Sequence, residues 1–392
     1  MLKQPFTPTR FTLLVLLAAA MPSLLGTAAV SPVLDLMKEA GLGPEYVVSL
    51  VLTLPPLATA AAGFFIGALS DKIGRVKILA LSLLVFALSG VSGFFLDNIY
   101  AIIGMRLLLG VSISGILPMA SALISEYYEG EERTRYLGYL GVSNGIGVLI
   151  LQTLCGALAA FGWHAAFLVY LLGLAALPFV LLCLKEPPRS CAEKAACPVS
   201  VPSPLRYAGI YSLVFLPALF MYLVAVNLSY YMGGFAFAVS PFWVGLLLGI
   251  FGLSSAVSGF LFWRFSRRFT PLSIGGLIFL MEAAGLFLIG ISENLVLLTA
   301  GLILLGFGMG LAMPNGTAWV SKITPPAVLG RYMGGITVST FLALFSNSFV
   351  SPLVLSFLGA GEYAAMFLLF AFVSALLGAV LYLLGRRRPA GI

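Results

Sequence analysis

Gly67-Ala68-Leu69-Ser70-Asp71-Lys72-Ile73-Gly74-Arg75-Val76-Lys77 joins two apolar runs, each long enough to cross a bilayer. Seven of its residues, Asp71 to Lys77, hold one acid and three bases, in a chain where only 9% of residues are charged. The pattern places Asp71 just past a helix end and Arg75 one turn later. That spacing suits an ion pair and suits a charge facing a helix terminus.

Outward from this stretch the chain is overwhelmingly apolar, with 61% hydrophobic residues among 392. No soluble domain needs that much apolar surface, so the expectation is a polytopic membrane protein. Met1 to Arg10 is short and basic, with no cleavage signature after the first apolar run. Apolar runs fall at 11–34, 46–69, 78–96, 100–124, 135–160, 165–184, 207–231, 242–263, 272–292, 296–320, 330–355 and 363–385. Twelve spans put both termini on one side. All of the 21 Lys and Arg except Lys38 and Arg106 then fall on that side, which the positive-inside rule makes cytoplasmic. The net charge of +7 is scattered over short loops, which argues against a nucleic-acid partner. Cys155 and Cys183 lie in apolar runs, and Cys191 and Cys197 lie in a polar linker. No disulfide framework, metal site or cofactor is expected from them.

Residues 186–206, rich in proline and polar side chains, read as a cytoplasmic linker between bundles 1–185 and 207–392. The two halves repeat. A shift of 196 residues aligns Leu108-Leu109-Gly110 with Leu304-Leu305-Gly306, Pro118 with Pro314, and Ser125 with Ser321. It also aligns Arg135-Tyr136 with Arg331-Tyr332, Gly138 with Gly334, Val142-Ser143 with Val338-Ser339, and Gly63-Phe64 with Gly259-Phe260. Six spans per half keep the two copies parallel, about an axis along the membrane normal.

The spacing G-x-x-x-D-K-x-G-R-x-K at Gly67–Lys77 resembles the signature loop between helices 2 and 3 of the major facilitator superfamily. Arg106-x-x-x-Gly110 in span 4 resembles that family's second motif. The resemblance covers the whole chain. It implies an all-α membrane fold of 12 transmembrane helices in two pseudo-symmetric six-helix bundles, with substrate held between the halves. It also implies a cytoplasmic latch of Gly67, Asp71, Lys72, Gly74, Arg75 and Glu126, with Asp71 facing the start of span 11 near Pro326 to Arg331. Span 5 carries Gly138, Gly141, Gly145, Gly147 and Gly156, a small-residue face suited to close packing. It has Leu151-Gln152 where the antiporter motif has a Gly-Pro pair. Gly162-Trp163-x-x-x-Phe167 matches the family's helix 5–6 turn, with His164 expected at the interface.

Away from the span ends only Arg106 and Glu282 are charged, and a charge in hydrocarbon is a functional hypothesis by default. Arg106 lies ~9 Å into span 4 and Glu282 ~16 Å into span 9. Desolvation favours the neutral form of Glu282, which suits a proton carrier. The family places helix 9 at the periphery, where a protonated Glu282 would instead bond a neighbouring helix. Asp35, at the outer end of span 1, is the other candidate carrier. Arg106, Asp35 and Glu282 are therefore the coupling candidates.

The helices that line the cavity in this family offer Met21, Asn144, Gln152, Tyr222, Asn227, Tyr230, Asn315, Phe341 and Asn347 here. That set is aromatic and amide-rich, suited to a moderately hydrophobic small molecule. The expected function is secondary transport across the plasma membrane by alternating access, as a monomer in membrane lipid, with proton-coupled efflux the nearest branch. The alternatives are uniport or proton symport of a sugar, amino acid or other metabolite, and a non-transporting receptor or scaffold on the same fold. An enzyme would need a buried cluster of nucleophile, base or metal ligands, and one His with one mid-membrane acid does not supply it.

Overall fold

The computed structural model describes residues 8–23, 30–187, 204–234, 240–324, 329–359 and 361–386. Those residues are almost entirely helical. The first half contains α1 (Arg10–Ala20), α2 (Glu45–Ile73), α3 (Arg75–Val91), α4 (Ile99–Tyr127), α5 (Gly130–Leu158) and α6 (Leu171–Cys183). The second contains α7 (Pro204–Gly233), α8 (Pro241–Arg268), α9 (Pro271–Gly290), α10 (Leu295–Ile323), α11 (Leu329–Leu358) and α12 (Tyr363–Arg386). A short helix, Leu34–Glu39, precedes α2. Eleven helices among the described residues are long and apolar enough to span a membrane, and α1 is a shorter apolar helix. Part of the first expected span, 24–29, lies outside the described residues.

In hydrocarbon every backbone polar group must be satisfied within the segment, which is why the apolar runs become uninterrupted helices. The 196-residue repeat is visible in their construction. Asn98 caps α4 by accepting from Tyr100 N at 2.9 Å, and Asn294 caps α10 by accepting from Leu297 N at 2.9 Å. Gly110 of α4 lies so close to α2 that an added Cβ would stand 2.3 Å from the Pro55 carbonyl oxygen. Gly306 of α10 would meet the Phe251 carbonyl oxygen of α8 at 2.4 Å. Both partner pairs are related by the same shift, so each half packs its second and fourth helices through an equivalent glycine.

The contacts divide the chain into two compact units, Met1–Cys191 with Ser240–Gly245, and Ala192–Val239 with Leu246–Ile392. In the second unit Tyr207, Ile210, Val214, Val320 and Ile336 form a buried cluster joining α7, α10 and α11. The small-residue face of α5 is only partly used. Gly147 abuts Met21 and Gly156 abuts the Pro241 carbonyl, whereas Gly138 and Gly141 face open space.

One expectation is corrected. Helix α2 continues to Ile73, so Asp71 lies in its last turn rather than just past its end. Glu186, the first residue of the expected linker, is held against α3. Cys191 and Cys197 lie outside the described residues.

Candidate functional site

The signature stretch turns at Gly74, where φ is +115°. Only glycine adopts that backbone without strain, and it lets α3 start directly where α2 stops. The exposed N–H groups at the start of α3 are covered by the Glu186 carboxylate, which accepts from Arg75 N and, at 3.1 Å, from Val76 N. An anion at a helix N-terminus is favourable both as a cap and against the helix dipole. The Arg75 guanidinium pairs with Glu126 near the end of α4. The neighbouring Tyr127 hydroxyl donates to the Lys185 carbonyl. Arg75 and Glu126 thus meet, and Glu186, which the sequence did not single out, joins them at the start of α3. The contact expected between Asp71 and 326–331 lies outside the described residues.

Arg106 is 1% exposed, and among the described residues no carboxylate pairs with it. Its guanidinium carbon lies 4.7 Å from the ring centroid of Phe167 and 4.7 Å from that of Tyr170. Trp163–Tyr170 is a 3-10 helix, in which side chains three apart eclipse. Phe167 and Tyr170 therefore stand one above the other and form a two-ring clamp. Opposite them lie Gly90 and Gly93, where an added Cβ would stand 2.3 Å from Tyr170 and 2.0 Å from Phe167. Two cation–π contacts in a dry site each contribute about 2 kcal/mol, which offsets part of the desolvation of the arginine. At the start of the same 3-10 segment His164 Nε2 lies 2.9 Å from Asp97 Oδ1, and its ring stacks on Trp163.

In the second unit Glu282 is fully buried on α9, with its side chain against Gly308 of α10. Neither carboxyl oxygen has a hydrogen-bond partner among the described residues, so the expected bond to a neighbouring helix is not formed. Asp35 is half-buried. Burial pushes its carboxyl above the usual carboxylate range, Glu39 adds to the rise, and Lys38 opposes it.

The family model of the major facilitator superfamily matches residues 16–237 and 210–391, nearly the whole chain. The chain belongs to the major facilitator superfamily. Its family and the relatives that follow are membrane transporters, not enzymes. It is 30% identical over 141 residues to a niacin transporter of Acinetobacter baylyi, covering 36% of this chain and 31% of that protein. It is 30% identical over 150 residues to a bacillibactin exporter of Bacillus subtilis, covering 36% and 37%. A 4-hydroxybenzoate transporter of Acinetobacter baylyi is 30% identical over 121 residues, covering 29% and 26%. The matched part spans about a third of these curated relatives. Among solved structures, a bacterial homologue of the human lysosomal transporter Spinster has a TM-score of 0.76 at 14% identity, covering 98% of each chain. A mutant form of the nucleoside transporter NupG has a TM-score of 0.77 at 14% identity, covering 95% of this chain and 98% of that one.

Of the nine expected cavity residues of this major facilitator fold, Met21, Asn144 and Gln152 lie in the first unit and the other six in the second. Asn227 donates to the Leu223 carbonyl at 2.7 Å and accepts from Ser351 at 2.8 Å. Asn347 donates to the Leu219 carbonyl at 3.0 Å, so both amides sit on the α7–α11 seam. Asn315 instead donates to the Pro271 carbonyl at 2.9 Å, which ties α10 to the start of α9. Tyr222 and Tyr230 are buried, and Tyr230 stacks near Tyr363. Asn144 and Gln152 are buried on α5, Met21 meets Gly147 from the α1 side, and Phe341 is half-buried on α11. The signal for the Arg106 clamp was present in Phe167 and Tyr170, but only the 3-10 geometry aligns them.

Proposed function

We propose that this major facilitator moves a small, moderately hydrophobic molecule across the plasma membrane by alternating access, in the direction of efflux and coupled to protons. The carrying observation is Arg106, a fully buried cation that no described carboxylate neutralises and that two aromatic rings hold in place. A buried charge without a counter-ion among the described residues is suited to a transient anionic partner, such as a carboxylate that ionises within the cycle. Arginine does not itself release a proton. The titrating group then falls to Glu282, buried with no hydrogen bond among the described residues, or to Asp35, half-buried with its proton affinity raised. The exported cargo named for the bacillibactin exporter supports the outward direction.

The experiment is substrate flux in proteoliposomes with an imposed pH gradient, alongside counterflow without one. Arg106→Ala is expected to abolish coupled transport, Asp35→Asn to have an intermediate effect, and Glu282→Gln to reduce flux partly. Full pH-driven flux in both carboxylate variants would move the reading to uniport or to another ion.

A second reading is uptake of a small organic acid, with Arg106 as the partner of the substrate's own carboxylate. It is favoured by the clamp and by relatives named for niacin and for 4-hydroxybenzoate. Inward accumulation of either compound, lost in Arg106→Ala, would select it over efflux.

A further inference from the structure

A cavity of about 650 Å³ opens at the basic end of α8. Its wall carries Arg264, Arg267 and Arg268 beside Phe265, Phe269 and Phe307. Among the described residues none of the three arginines makes an ion pair. Arg264 and Arg267 instead lie over the Trp263 ring, 5.4 and 4.9 Å from its centroid. Helix α8 has 28 residues, ~42 Å of helix against a hydrocarbon core of ~30 Å. Its last two turns therefore extend to headgroup level. Deeper in, Phe265 and Phe307 lie 6.2 Å apart and pack on the buried Ile274, Ile278, Leu311 and Ala312. The cavity thus has a cationic rim and an aromatic interior, and no acid among the described residues lines it.

We propose that this cavity binds one anionic phospholipid, its phosphate among the three arginines and an acyl chain along Phe265, Phe269 and Phe307. Arginine forks match phosphate oxygens, and an anionic headgroup gains about five-fold in affinity per nearby base. A free anion gains only the first part of this. Salt screens exposed charges over ~10 Å, so the acyl chain must supply the rest, about four-fold per buried methylene. The proposal does not rest on the proposed direction or cargo of transport.

The test is native mass spectrometry of the purified full chain with phosphatidylglycerol, with phosphatidylcholine of the same acyl chains, and with inorganic phosphate. The wild type is expected to hold one phosphatidylglycerol at least ten-fold more tightly than phosphatidylcholine. The triple variant R264Q/R267Q/R268Q should lose ~100-fold, while Arg133→Gln, an exposed base elsewhere, should leave binding unchanged. If the triple variant does not fold, Arg267→Gln alone should lose about five-fold. Undiminished phosphatidylglycerol binding in the folded variant would overturn the proposal. So would displacement of the lipid by inorganic phosphate at equal concentration, which would make the site one for free anions.

Discussion

The α2–α3 junction and the α8–α9 junction occupy the same place in the 196-residue repeat, and they are held by different chemistry. Gly74 and Thr270 are equivalent, and each is the residue before its helix. Gly74 carries no side chain, and the cap on α3 comes from Glu186, more than a hundred residues away. Thr270 caps α9 itself, accepting from Ser273 N at 3.2 Å, with Pro271 in the first turn where its missing N–H does no harm. Asp71 and Lys72 stand where the second half has Arg267 and Arg268. The first junction therefore ties α3, α4 and the end of α6 together through carboxylates. Among the described residues, the second leaves its bases without an ion pair. Duplication has preserved the backbone path and the glycine contacts, while the charges have diverged.

The largest effect that would break this contrast is at Gly74. Gly74→Ala forces a φ of +115° on a residue with a Cβ and sets that Cβ 2.7 Å from the Glu186 carboxyl carbon. The expected loss is about 2 kcal/mol of stability, read by thermal unfolding of the purified protein. At the equivalent position Thr270→Ala removes a local cap and should lose about 1 kcal/mol. An equal loss at both sites would mean that the two junctions are alike after all.

Glu186→Gln keeps the acceptor oxygen and removes the charge from the start of α3. The site is exposed, so the expected loss is only about 0.5 kcal/mol, smaller in high salt. In the Gly74→Ala background the same change should have less effect, because the added methyl already displaces the carboxylate. Full additivity in that double variant would show that Glu186 is not the group Gly74 accommodates. The smallest effect belongs to the second junction. Arg267→Gln removes no ion pair and should change stability by less than about 0.5 kcal/mol. A larger loss would point to a protein partner for that arginine.

Much of the architecture was legible in the chain itself. Length and apolarity of the runs define spans, because a bilayer sets one thickness for all of them. The repeat was legible because a proline, glycines and an arginine recur at one offset. Arg75 lies in the signature spacing, whereas Glu126 was named only through the family resemblance. The cavity set was less legible: Asn227 and Asn347 fall on one seam, while Asn315 turns to the start of α9. Periodicity does not say which neighbour an amide on a helix reaches, because several helices lie within range of each face.

The sequence by itself determined that the chain crosses the membrane repeatedly, that its halves are copies, and that two charges lie at membrane depth. Those features are local: each depends on composition, spacing or period within a short window. Only the tertiary structure decided what surrounds the charges. It places Phe167 and Tyr170, from two helices further on, against Arg106, and turns Glu282 onto Gly308 with no hydrogen bond among the described residues. It also brings Glu186 back to the start of α3. Such pairings join segments distant in the chain, and they are chosen by how packed helices fill space and cover unsatisfied N–H groups.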